Sequence, residues 1–197
     1  MSNLVFRYGA MNSSKSSNLL QTAYNYRERG MTVDIFKPAI DTRDEKGKVS
    51  SRIGLSGDCV ILDKNTSFLT DIYKDRQYPK VILVDEAQFL EPFHVYELRS
   101  LVDLNDVTVL CYGLRTDFQR EAFPASAVLL AVADKLEEVP TVCWCGKKAR
   151  FVLRLNDKGE VVVVGPQVQI GGNDSYISVC SKHWALQQPS ESGVGKK

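Results

Sequence analysis

Gly9-Ala10-Met11-Asn12-Ser13-Ser14-Lys15-Ser16 is the stretch on which the reading of this chain turns. Ahead of it, residues 4–8 form a short apolar run of strand type. Behind it, residues 15–29 place Leu19, Leu20, Ala23 and Tyr26 on one helical face. Strand, loop and helix in that order are the setting of a phosphate-binding loop, in which backbone N–H groups and the helix N-terminus receive phosphate oxygens. Lys15 would reach the β- and γ-phosphates of ATP, and Ser16 would ligate Mg2+. The usual pattern has glycine immediately before the lysine, where this chain has Ser14. A Cβ and a hydroxyl there hinder close approach of the backbone to phosphate, so weaker ATP binding or slower turnover is expected. The competing reading is that residues 13–16 only cap a helix, since serine is a good N-cap.

Further short apolar runs, rich in β-branched residues, occur at 32–37, 81–85 and 107–112, with helical patterns between most of them. This alternation predicts a parallel sheet with helices on both faces and function at the carboxyl ends of the strands. Val81-Ile82-Leu83-Val84-Asp85-Glu86 ends at such a point in two carboxylates. Successive side chains of an extended segment point to opposite sides. Asp85 can therefore face Mg2+ while Glu86 faces an acceptor hydroxyl as general base. The alternative is that the pair caps a nearby helix.

Composition fits this picture: 197 residues, 44% hydrophobic and 25% charged, suit one globular domain or a domain plus a small appendage. A formal net charge of +1 supplies no overall field for nucleic acid or an anionic membrane. No apolar run approaches the roughly 20 residues that span a bilayer, and a soluble cytoplasmic protein is expected. After about Pro140 cysteines, glycines and alternating strands appear (149–155 and 161–164, joined by a turn at 156–159). The expected division is a nucleotide-binding domain over 1–139, a small β domain over 140–186 and a disordered tail over 187–197.

Five cysteines, an odd number, argue against a disulfide framework. Cys143, Cys145, Cys180 and His183 make a ligand set suited to a tetrahedral structural zinc that closes a loop of 34 residues between Cys145 and Cys180. Four protein ligands leave no open position for metal-assisted hydrolysis. The alternative is a group of reduced thiols beside a surface histidine. Cys59 and Cys111 read as core thiols, and His94 as a surface or structural residue.

Four blocks carry a resemblance over roughly residues 4–184: Phe6-Arg7-Tyr8-Gly9-Ala10-Met11, Val84-Asp85-Glu86-Ala87-Gln88-Phe89-Leu90, Tyr112-Gly113-Leu114-Arg115-Thr116-Asp117-Phe118-Gln119 and Ile170-Gly171-Gly172-Asn173-Asp174. They are similar to the type II thymidine kinase family. The resemblance implies a P-loop (RecA-like) α/β domain with a small zinc-binding β domain, and transfer of the ATP γ-phosphoryl group to the 5′-hydroxyl of thymidine. It implies Glu86 as the base, Gly9 to Ser16 around ATP, and Ser16 and Asp85 on Mg2+. It also implies Met11, Phe89, Leu114, Phe118, Phe123 and Tyr176 around the nucleoside. A loop over about 154–176 would cover that nucleoside, using backbone groups near Val168, Gln169 and Ile170, with Gly171 and Gly172 supplying flexibility. Asp41 and Arg43, in a polar stretch with Arg52, would assist the metal or phosphate, or else form a solvated loop. The resemblance further implies a homotetramer inhibited by the thymidine triphosphate end product. Two rival readings are a nucleic-acid motor or ATPase of the same core, disfavoured by the near-neutral charge, and a nucleotide-binding regulatory protein without catalysis, which Ser14 would favour.

Overall fold

A computed structural model describes residues 2–42, 45–168 and 176–191. Six strands form the central sheet: β1 (Leu4–Tyr8), β2 (Val33–Pro38), β5 (Val60–Leu62), β6 (Val81–Val84), β7 (Thr108–Gly113) and β8 (Lys135–Glu138). Their spatial order is β5-β2-β6-β7-β1-β8 and every pairing is parallel.

Burial on both faces explains why these strands read as continuous apolar runs. Val81 and Leu83 of β6, with Val5, Ile35 and Leu110, pack under α1 (Lys15–Glu28) through Leu19 and Ala23, with Leu20 and Tyr26 at the margin. Ile82 and Val84, with Phe6, Val109 and Cys111, face α2 (Pro92–Asn105) and α3 (Pro124–Val132) through Val95, Leu98, Leu101, Ala125 and Leu129. Each fully buried Val, Leu, Ile or Phe among them contributes about 1.5–3 kcal/mol. The strand ends that follow inherit this rigidity.

Smaller elements surround the sheet. A hairpin of β3 (Lys48–Ser50) and β4 (Ser56–Asp58) occupies part of the polar stretch after β2. Asp41 is not solvated: its carboxylate lies 3.0 Å from Lys37 Nζ, with both side chains almost wholly buried. Arg43 lies outside the described residues. Beyond β8, β9 (Thr141–Val142) pairs with β10 (Lys148–Ala149), and β11 (Phe151–Leu155) pairs with β12 (Val161–Val162) and β13 (Tyr176–Val179), all antiparallel. The run expected as one strand over 149–155 is therefore divided at Arg150 between two sheets, and the next strand stops at Val162. The last helix is α4 (Ser181–Ala185).

Of the remaining expectations, Cys111 is buried and Cys59 half-buried. His94 is buried rather than at the surface: Nδ1 accepts the Glu91 N–H at 3.0 Å and Nε2 lies 3.0 Å from the Thr66 carbonyl, capping α2. Burial pushes its pKa down. No helix among the described residues is long and apolar enough to cross a membrane.

Candidate active site

The loop between β1 and α1 has an unusual backbone. Asn12 and Ser14 adopt positive φ angles of 63° and 60°, a left-handed conformation that asparagine visits readily and that costs a residue such as serine about 1–2 kcal/mol. Although Ser14 directly precedes α1, its side chain makes no cap hydrogen bond, so side-chain capping does not account for Ser14. Gly9 is required sterically, because a Cβ there would stand 2.3 Å from the Val139 carbonyl oxygen and 2.6 Å from Ser13 Oγ. Lys15, buried, folds back to donate to the Ala10 carbonyl at 2.9 Å and Ser13 Oγ at 3.1 Å.

Across the cleft stands the end of β6. Although β7 lies between β1 and β6, Asp85 reaches the phosphate loop, accepting a hydrogen bond from Ser16 Oγ at 2.9 Å. Burial, reinforced by the adjacent Glu86, pushes the Asp85 carboxyl upward, while Ser16 and Lys15 pull it back. A cation between Ser16 and Asp85 would relieve that penalty, and two hard oxygen donors fit Mg2+. Glu86 is itself left-handed, with φ 49° and ψ 41°, and makes no side-chain cap. Side-chain capping therefore does not account for Glu86 at this turn, and the strain suits a functional residue held by its surroundings.

Gln88 supplies part of that hold, and sequence reasoning missed it. It is 2% exposed, donates from Nε2 to Glu86 Oε2 at 2.5 Å and accepts the Leu114 N–H on Oε1 at 2.9 Å. The Leu114 carbonyl in turn accepts Ser126 Oγ at 2.6 Å. Gly113 makes the fit possible, since a Cβ there would sit 2.7 Å from Gln88 Oε1. The only sequence signal for Gln88 was its place inside the block after the acidic pair.

Between the loop and the pair lies a cleft of about 400 Å3, within the range of small-molecule sites. Met11, Asn12, Ser13, Ser14, Lys15, Ser16, Asp85 and Glu86 line one part of it. Phe89, Leu114, Phe118, Phe123, Val168 and Tyr176 line the other, together with Val152 and Gln167. Phe89 and Phe123 meet edge to face with ring centroids 5.8 Å apart, an apolar wall able to hold a flat base. Asp41 and Arg52 also reach the cleft. Gly9 and Ala10 belong to the loop but are not among the lining residues, and Gln169, Ile170, Gly171 and Gly172 lie outside the described residues. The segment expected to cover a nucleoside is anchored at Pro166 and Gln167: Gln167 donates to Asp117 Oδ2 at 3.1 Å, and Arg154 lies over the Phe118 ring while donating to the Pro166 carbonyl.

Beside this cleft Cys143, Cys145, Cys180 and His183 converge, their ligand atoms all within 4.8 Å of one another. His183 Nδ1 is 3.3 Å from Cys143 Sγ and 3.5 Å from Cys180 Sγ, and Cys145 and Cys180 are 4.0 Å apart. Tetrahedral zinc with Zn–S near 2.3 Å requires sulfurs about 3.8 Å apart, so the donors fit that ion. Trp144 stacks on His183 at 4.1 Å.

Comparison of the sequence with known proteins points to one family. The family model described as "TK: Thymidine kinase" matches residues 2–184. A thymidine kinase of Haemophilus influenzae (strain 86-028NP) is 54% identical over 186 residues, covering 93% of this chain and 96% of the relative. That of Pasteurella multocida (strain Pm70) is 54% identical, with 93% and 97% covered. That of Salmonella typhimurium (strain LT2) is 49% identical over 201 residues, with 100% and 98% covered.

Proposed function

The chain belongs to the thymidine kinase family, and from that premise we propose that it transfers the γ-phosphoryl group of ATP to the 5′-hydroxyl of thymidine, with Glu86 taking the hydroxyl proton. The observation that carries this reading is the position of Glu86, between a phosphate loop and an aromatic wall in a single cleft. The sugar oxygen attacks the γ-phosphorus as its proton passes to the Glu86 carboxylate. The bond from the γ-phosphorus to the bridging oxygen breaks, and ADP leaves. Positioning supplies most of the acceleration in such transfers.

Backbone N–H groups of Ala10, Met11, Asn12, Ser13 and Ser14 would receive phosphate oxygens, Gly9 serving as the tight start of the loop with its own N–H given to the Gly113 carbonyl at 3.3 Å, and Lys15 would leave its carbonyl partners for the β- and γ-phosphates. Ser16 and Asp85 would hold Mg2+, which spreads the phosphate charge when bound. On the other side Phe89, Leu114, Phe118, Phe123 and Tyr176, joined by the side chain of Met11, which packs with Phe118 and Tyr176, would enclose the nucleoside, with Val168, Gln169 and Ile170 offering backbone groups to the base. The four-ligand cluster would carry structural zinc, which supplies no chemistry to the reaction. This corresponds to a nucleotide-binding domain over 1–139 and a zinc-binding domain over 140–186.

Cytoplasmic residence and a homotetramer are part of the same proposal. Self-association is supported by the exposed apolar residues Phe93, Tyr96 and Leu104 on α2. Inhibition by dTTP is supported by the continuity of the cleft, since one molecule could place thymine against the aromatic wall and its phosphates on the loop. The decisive assay incubates the protein with γ-labelled ATP, Mg2+ and a panel of nucleosides. Labelled thymidine 5′-monophosphate is expected. Phosphate release with water or DNA alone would overturn the proposal.

A further inference from the structure

The carbonyls of a phosphate loop must point away from the anion if its N–H groups are to converge on it. In this chain the Gly9 and Ala10 carbonyls are held by Lys15 Nζ at 3.4 and 2.9 Å, and the Ser14 carbonyl by the Asn18 N–H at 2.9 Å. The two in the middle are held from another part of the molecule. Ser178 Oγ donates to the Met11 carbonyl at 2.6 Å, and Thr141 Oγ1 donates to the Asn12 carbonyl at 3.1 Å. Residue 12 is one of the left-handed positions.

Both hydroxyls sit in equivalent places. Thr141 lies in β9 two residues before Cys143, and Ser178 lies in β13 two residues before Cys180. Each strand that leads directly into a cysteine of the cluster therefore also delivers a hydroxyl to the phosphate loop. We propose that Ser178 and Thr141 are positioning residues for ATP, two donors through which the cysteine-bearing strands hold the phosphate loop in its phosphate-receiving conformation. This rests on the assignment of residues 9–16 as the ATP loop. It gives the small β region a role on the nucleotide side of the cleft as well as the nucleoside side. When Lys15 turns to the phosphates, these two hydroxyls remain on the loop carbonyls.

The test uses zinc-loaded full-length protein, a fluorescent ATP analogue in the absence of thymidine, and hydrogen exchange of the loop amides. Ser178→Ala is expected to weaken analogue binding about five- to tenfold, the equivalent of one partly buried hydrogen bond. Thr141→Val should weaken it about threefold, its bond being more exposed. Ser178→Thr and Thr141→Ser, which retain the hydroxyls, should restore wild-type binding. Amide exchange over 9–14 should accelerate in Ser178→Ala while 81–84 stay protected. Unchanged analogue affinity in both hydroxyl-less variants overturns the proposal, as does equal weakening in Ser178→Thr and Ser178→Ala. Failure of the wild-type protein to bind the analogue would instead remove the ATP-loop assignment itself.

Discussion

Val81 to Val84 of β6 are buried along their whole length between α1 on one side and α2 and α3 on the other, and the carboxylates of Asp85 and Glu86 follow directly. The strands around the cysteine cluster have no comparable support. Their buried cluster is Cys143, Ala149, Leu153, Val179 and Cys180, two of which are themselves candidate ligands. One region fixes its functional groups by burial on both faces of a sheet, and the other needs coordination to replace the missing core. The two should therefore fail in different ways. In the first, a change at the tip should remove chemistry and leave the fold. In the second, loss of the knot should remove local structure and, with it, the shape of the cleft.

The largest effect is expected at the tip of β6. Glu86→Gln keeps the size of the side chain and removes the base, so turnover should fall about 100- to 10,000-fold, with ATP binding and thermal stability near wild type. Steady-state rates together with ATP affinity check this. Unchanged turnover would take Glu86 out of the mechanism.

Metal removal comes next and acts on the other region. Elemental analysis should find about one zinc per chain, as four protein ligands imply. Chelation should unfold the residues around β9 to β13 and lower activity by less than Glu86→Gln does, while exchange protection persists in β6 and β7. Trp184 marks the route of damage to the cleft: its Nε1 donates to the carbonyl of the cleft-lining Phe118 at 2.9 Å, and α4, which carries it, also carries His183. A chelated protein of full stability and activity would show that the small region does not depend on coordination.

How much of this was legible in the sequence depends on the range of the contacts involved. The phosphate loop, the acidic pair and the four metal-type ligands are visible because each is announced locally, by a strand running into a loop or by close spacing of one residue type. The sheet was legible because burial on both faces leaves uninterrupted apolar runs. Gln88, Asp117, Thr141 and Ser178 were not recognised for what they do. A glutamine or a hydroxyl has no periodicity, and the partners lie at separations of 26 residues for Gln88 and Leu114 and 167 for Ser178 and Met11. The break at Arg150 was hidden for a related reason, since side-chain alternation continues across it while the pairing partner changes from β9 to β13.

Gln88 gives a third and smaller test, which divides support from chemistry within the large region. Gln88→Glu preserves the volume and an acceptor for the Leu114 N–H but replaces the donor facing Glu86 with a second carboxylate. Turnover should drop about ten- to a hundredfold, the loss of a charge-assisted hydrogen bond, with little change in the KM for ATP. Combined with Glu86→Gln the same change should add almost nothing, because residues acting through one group are not additive. Full additivity would mean that Gln88 acts elsewhere.

Ser14 closes the series with the smallest expected effect. Its φ of 60° is one that glycine adopts readily and serine adopts at a cost of about 1 kcal/mol. Its side chain caps nothing, so no cap hydrogen bond is lost on replacement. Ser14→Gly is therefore expected to raise kcat/KM for ATP about three- to fivefold, as the loop reaches its binding conformation with less strain. The gain in melting temperature should be smaller, because glycine also enlarges the entropy of the unfolded chain. Ser14→Ala separates the two explanations for any improvement: it removes the hydroxyl and keeps the Cβ, so it should behave as wild type. If alanine improved the enzyme as much as glycine, crowding by the hydroxyl rather than left-handed backbone strain would be what limits this loop.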